Sequence, residues 1–200
     1  MSIDIFLIIM AKQDGRNLRS INSQKLIVDA CIKLFKEGNL EPTAQQVADA
    51  SGVGIRTVFR QFDEMENLFK AVDAVLSKDY DFNVKYDPSA SFKARLQTIT
   101  NHMNTGYEKH KLIMFMTVSK MWKYEFLRKN YLMYQDRIKE KTEEVLPEVL
   151  GFDNESKHLF HASLSFAMWT RLQGQKLNSD QIKKAMLRQC LLIAEDNKQY

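Results

Sequence analysis

Between Ile55 and Phe62 the chain reads Ile-Arg-Thr-Val-Phe-Arg-Gln-Phe, placing Arg56, Thr57, Arg60 and Gln61 together with no acidic residue among them. Their chemistry is that of nucleic-acid recognition. A guanidinium can bond guanine through two parallel donors or clamp a phosphate, a glutamine amide can read adenine, and a threonine can contact a phosphate or a thymine methyl. Thr43 stands where a helix should begin, so its hydroxyl and the free N–H groups around it suit a phosphate, with the helix dipole favouring the anion. Gln45 and Phe59 complete the candidate DNA contacts, and Arg16 and Arg19 can add backbone or minor-groove contacts. Taken singly, any Arg or Gln here is more often an ordinary solvated residue on a bundle helix than a base reader; the reading lies in their arrangement.

That arrangement depends on the elements around it. Leu26, Ile27, Ala30, Cys31, Leu34 and Phe35 recur at helical spacing from Ser23 onward, and Gly38 suits the C-cap. Thr43-Ala44-Gln45-Gln46 after Pro42 has the form of a capping box opening a second helix with Val47, Ala48 and Ser51. Gly52-Val53-Gly54 then permits a left-handed turn, with Val53 placed to fill the corner before the third helix. Asp63 and Glu66 form a capping pattern ahead of a longer helix carrying Leu68, Val72, Val75 and Leu76. A tight turn between the second and third of three helices predicts a helix-turn-helix, with Val47, Ala48, Val53, Val58 and Phe62 inward and the third helix offered to the major groove.

Ile27, Ala30, Leu34, Phe35, Gly38, Thr43, Val47, Ala48, Gly52, Val53, Thr57, Phe59, Phe62 and Leu68 stand in the order and spacing of the TetR family, which the chain resembles over roughly 24–68. The departures are Gly54 in place of a Ser-like cap, Arg56 for Gly, Phe59 and Gln61 for Tyr, and Met65 for Lys. Without that lysine one implied phosphate contact is lost, and Phe59 lacks a hydroxyl. Arg56 and Arg60 can offset both. Beyond about residue 80 the resemblance rests on the helical plan, and implies a ligand cavity among the middle helices and a homodimer through the last two.

With only 7 Gly and 3 Pro, the chain should be all-α, with about nine helices. The expected divisions are a flexible arm over 1–22, the three-helix DNA-binding domain over 23–68, and a ligand-binding and dimerisation domain over 69–200, the boundary lying inside a helix. Asp87-Pro88 marks the start of a helix with Phe92, Leu96, Ile99, Met103 and Tyr107, followed by an apolar stretch over 110–122. An amphipathic helix through Leu127, Tyr134 and Val145 should end at Pro147 and Gly151. The last two predicted helices start near Asp153, running past Trp169, and near Asn178, whose capping partner is Gln181.

Met103, Tyr107, Phe115, Met116, Trp122, Phe126 and Trp169 gather thioethers and aromatics, which suits a site for an apolar or aromatic ligand; the alternative is a methionine-rich core with no cavity. Ala162, Ser163, Ser165 and Ala167 would let helices of two copies approach closely, with Phe166, Trp169, Ile182, Met186 and Ile193 supplying apolar contact. His102 and His110 flank the expected cavity. His158 and His161 share a helix face, but no third ligand completes a metal site, and no metal or cofactor is expected. No nucleophile–base arrangement or phosphate-binding glycine loop is legible, so no catalytic residue and no enzyme activity are expected.

The formal charge of +4 permits nucleic-acid binding without requiring it. Cys31 and Cys190, far apart in apolar helical contexts, suit a reducing cytoplasm. The apolar run from Ile3 to Met10 is too short to span a membrane and has no basic residue ahead of it, so neither anchor nor secretory signal is expected; Met10 is an alternative start. The combined expectation is a homodimeric repressor that a small ligand releases from double-stranded operator DNA. The competing expectation is a helical small-molecule-binding protein or enzyme with a vestigial DNA-binding head.

Overall fold

The computed structural model describes residues 3–80 and 82–197, with the side chains of 3–16 left aside. Among these residues all regular secondary structure is helical, with nine α-helices: α1 (Ile3–Lys36), α2 (Ala44–Ser51), α3 (Ile55–Phe62), α4 (Met65–Leu76), α5 (Phe92–Lys120), α6 (Glu125–Val145), α7 (Asn154–Ser163), α8 (Phe166–Gly174) and α9 (Ser179–Asp196). Short 3-10 segments occupy Ser77–Asp79 and Pro147–Gly151. The chain divides into two units, 1–79 and 80–200.

The first unit is built on α1 to α4. Ile27, Ala30, Cys31 and Phe35 of α1 meet Val47 and Ala48 of α2, Val58 of α3, and Leu68, Phe69 and Val72 of α4 in its core, all of them buried. This unit runs on to residue 79, past the expected boundary at 68, because α4 packs into its core: the Phe35 and Phe69 rings lie 5.9 Å apart. The backbone of 3–22, expected as a flexible arm, is part of α1. Gly38 ends α1 with φ +90°, and the Gly38 and Asn39 N–H groups donate back to Phe35 and Leu34. A residue with a Cβ would be strained there.

The second unit packs α5 to α9 around Leu96, Ile99, Tyr107, Phe160, Leu164, Phe166, Trp169, Ile182, Met186 and Cys190. The helix from Asp87-Pro88 and the apolar stretch after it form one continuous α5. It begins later than expected: Ser91 is the N-cap, while Asp87 instead accepts from the Ser89 N–H and hydroxyl in a local turn. Arg95 secures its first turns, donating to the Ala90 and Val145 carbonyls and pairing with Glu148. Asp153 and Asn178 cap α7 and α9, the latter in a full capping box with Gln181.

The helix expected to run from Asp153 past Trp169 is broken into α7 and α8. Ser165 provides the reason, because its hydroxyl accepts from the Met168 N–H and starts a new helix. The break frees the Leu164 carbonyl, which the Tyr107 hydroxyl satisfies at 2.7 Å. Phe166, Trp169, Ile182, Met186 and Ile193, expected at a contact between copies, lie in this unit's own core at no more than 6% exposure. They are corrected from interface to core.

Candidate nucleic-acid interface

The recognition segment is assembled by its two caps and one turn. Thr43 Oγ1 accepts from the Gln46 N–H at 3.2 Å, while Gln46 Oε1 accepts from the Thr43 N–H at 2.9 Å. This reciprocal box fixes where α2 starts and leaves Thr43 exposed. Gln45, also exposed, donates to Asp49 at 2.7 Å. Gly52 closes α2 in the left-handed conformation, φ +71°, and the chain re-enters a helix at Gly54. Gly54 has no side chain to cap α3, whose first turn is held through the Gly54 carbonyl, an acceptor for Thr57 and Val58 N–H.

Val58 anchors α3 to the core at 2% exposure, with Ile55 and Phe62 half-buried on the same side. Successive residues of an α-helix turn by about 100°, so Arg60 lies about 40° from Arg56 and Phe59 about 60° to its other side. All are exposed, Phe59 at 47%. Thr57 is half-buried, and its hydroxyl accepts from Arg60 at 3.4 Å. Gln61 lies about 140° from Arg56. It turns toward α1, where the Ser20 hydroxyl donates to its amide oxygen at 3.0 Å. The Arg56–Phe59–Arg60 face therefore gathers three of the predicted DNA contacts, Thr57 borders it, and Gln61 is directed elsewhere. Periodicity alone indicates that divergence; the Ser20 partner lies 41 residues away and has no local signal.

Asp63 ends α3 with φ +60°, and Glu64, without a side-chain cap bond, precedes α4. The expected Asp63–Glu66 cap is thus corrected; the Asn67 amide donates to the Phe62 carbonyl instead. Arg19 is exposed on α1, whereas Arg16 and the apolar run before it lie outside the described side chains. Helices α2 and α3 thus form a helix-turn-helix with a basic outward face on its second helix. Residues 27–72 match the family model described as bacterial regulatory proteins, tetR family. This chain carries a TetR-family DNA-binding domain. Among curated proteins, none matches the chain. The TetR-family domain makes the protein a DNA-binding transcriptional regulator.

In the second unit, the residues expected at a ligand site separate into groups. Tyr107 and Trp169 are fully packed, with ring centroids 6.1 Å apart, and Trp169 stacks on Phe166 at 5.6 Å. Their polar handles are engaged: Trp169 Nε1 donates to Asn104 Oδ1 at 3.0 Å, and the Asn104 amide donates to Ser179 at 2.8 Å. Phe115 meets Phe166 edge-on, and Met103 and Met116 are buried. Trp122 is 82% exposed just after α5, its N–H donating to the Ser119 carbonyl, and stands apart from the buried group. Phe126 is half-buried beside Tyr124. A shallow groove along α6 is lined by Lys129, Leu132, Met133, Asp136, Arg137 and Glu140, none of them a predicted ligand residue.

Of the histidines, His161 lies 3.1 Å from Glu143, and His158 Nδ1 lies 2.9 Å from the Asn154 carbonyl. Burial lowers the His161 pKa against the opposing pull of Glu143. Among the described residues no group of His, Cys, Asp and Glu is placed to hold a metal. No described helix is long and apolar enough to cross a membrane.

Proposed function

We propose that this regulator is a cytoplasmic homodimeric repressor, released from its operator by a small apolar or aromatic molecule. The observation carrying the DNA half of this reading is the Arg56–Phe59–Arg60 face, exposed on a helix anchored by Val58 and free of acidic residues. Thr43 and Gln45 at the head of α2 supply phosphate contacts, and Thr57 borders the base-reading face.

For the dimer, support comes from apolar and small side chains left exposed on α7 and α9: Leu159 at 59%, Leu192 at 47%, and Ala162 between turns of α7. Pairing them with their twofold mates makes an isologous four-helix contact and gives the dimer two recognition helices for one operator. For the effector, Met103, Met116, Tyr107 and Phe115 form an interior of flexible thioethers and aromatic rings. Methionine side chains can repack around a guest with little loss of contact. A ligand that binds one conformation better than the DNA-competent one lowers operator occupancy by its differential affinity alone. The reading assigns no catalysis.

The test uses the full chain and a duplex enriched by it from a random-sequence pool. Binding should weaken steeply with salt, and aromatic compounds that raise the thermal midpoint should release the duplex. Compounds that stabilise the chain yet leave duplex affinity unchanged would instead favour a ligand-binding protein with a vestigial head.

A further inference from the structure

Phe59 is the exposed aromatic on a helix whose other apolar side chains are anchored inward. Phe35 and Phe69 of the same unit are at 0% and 2% exposure, and Phe62 is half-buried, whereas Phe59 is 47% exposed. Leaving a phenyl ring in water forfeits its burial in the free protein, and nothing in the local pattern forces it there: α3 could present a polar residue at that position without disturbing Val58. Its neighbours on the face are Arg56, one turn back, and Arg60. A phenyl ring has no hydrogen-bonding atom, so it cannot bond a phosphate oxygen or a base-edge donor. What the major groove offers such a ring is the C5-methyl group of thymine.

We infer that Phe59 is a specificity residue that reads a thymine methyl beside the contact made by Arg56. This rests on α3 being the base-contacting helix. The division of labour follows from chemistry: the guanidinium groups bond guanine edges or phosphates, while the ring gains by excluding water from the methyl, and gains less from cytosine, which has none. The operator half-site therefore contains a thymine whose methyl, rather than its hydrogen-bonding edge, is recognised.

The experiment takes the duplex enriched by the full chain and replaces each thymine in turn by deoxyuridine, which deletes only the methyl. Dissociation constants are measured at one fixed salt concentration for the natural chain, Phe59→Ala and Phe59→Tyr. Burial of one methyl-sized group corresponds to about a fourfold change in affinity. The expected result is a loss of about that size at one thymine position per half-site for the natural chain and for Phe59→Tyr, which keeps the ring. Phe59→Ala should bind the two duplexes equally. Because Phe59 is half exposed, all three chains should have the same far-ultraviolet circular dichroism and thermal midpoint within a few degrees.

Equal binding of every deoxyuridine duplex by the natural chain overturns the inference, as would be expected if the ring touched only sugars. So does a methyl penalty that survives in Phe59→Ala, since Thr57 or another group would then be the reader. Arg56→Ala separates the two levels. If it weakens binding while deoxyuridine does nothing, the base-reading face stands and only the thymine assignment falls; if neither matters, the reading of α3 falls with it.

Discussion

At the residue scale, the interface depends on a few exposed side chains, of which Arg60 also bonds the Thr57 hydroxyl on its own helix. Arg56 and Arg60 are exposed on α3, and no acidic residue stands beside them on that helix. Arg56→Ala and Arg60→Ala should each weaken duplex binding by about 1–3 kcal/mol if the guanidinium bonds a base. A phosphate contact would instead lower the slope of log affinity against log salt by about one. Circular dichroism should be unchanged; unchanged affinity in both variants would remove the assignment. The cysteines behave oppositely, as core residues. Burial pushes both thiols up to about 12, so the native chain keeps them protonated where an unfolded thiol, with a pKa near 8.5, ionises. Their contribution to stability is full below that unfolded value and is lost as pH climbs toward 12. Native protein at pH 8 should therefore resist a thiol-reactive disulfide reagent until denaturant is added. Rapid labelling without denaturant would contradict the packing.

At the element scale, caps and breaks decide where helices begin. Thr43→Ala removes one half of the box that starts α2 and should cost about 1 kcal/mol in a denaturant titration, while Thr43→Ser should cost much less. This cap was legible because both partners sit within four residues, as were the Asn178–Gln181 box and the Gly52 turn. The α7–α8 break was not. Alanine, serine and phenylalanine through that region keep helical periodicity, and a serine can sit inside a helix or start one. What decides is the Tyr107 hydroxyl on α5, which satisfies the carbonyl that the break exposes. The same long-range logic ties Asn104 to both Trp169 and Ser179. Asn104→Leu should strand the buried indole N–H and cost about 1–3 kcal/mol, and Trp169→Ala about 3–5 kcal/mol, each read from the shift in the unfolding midpoint. An Asn104→Leu chain as stable as the natural one would mean that the buried polar link is dispensable.

At the scale of the whole molecule, the proposed assembly makes its own prediction. A single chain has a mass of 23.4 kDa, and sedimentation equilibrium should give twice that mass. Leu159→Glu and Leu192→Glu, at sites exposed in the single chain, should shift the equilibrium toward monomer and weaken duplex binding while leaving the secondary structure intact. A monomer in the natural chain, or a dimer indifferent to both charges, would remove α7 and α9 as the contact. The sequence by itself determined the helical class, the three-helix reading head, its capping box and its basic face, because these follow from periodicity, from turn residues and from contacts a few positions apart. Tertiary structure alone decided that the partner of Gln61 is Ser20. It also assigned α4 to the first core, and it buried Phe166, Trp169, Ile182, Met186 and Ile193 within one chain. The physical reason is common to all of these: an apolar or amide side chain states that it needs a partner, and only the packing of distant elements states which one it has.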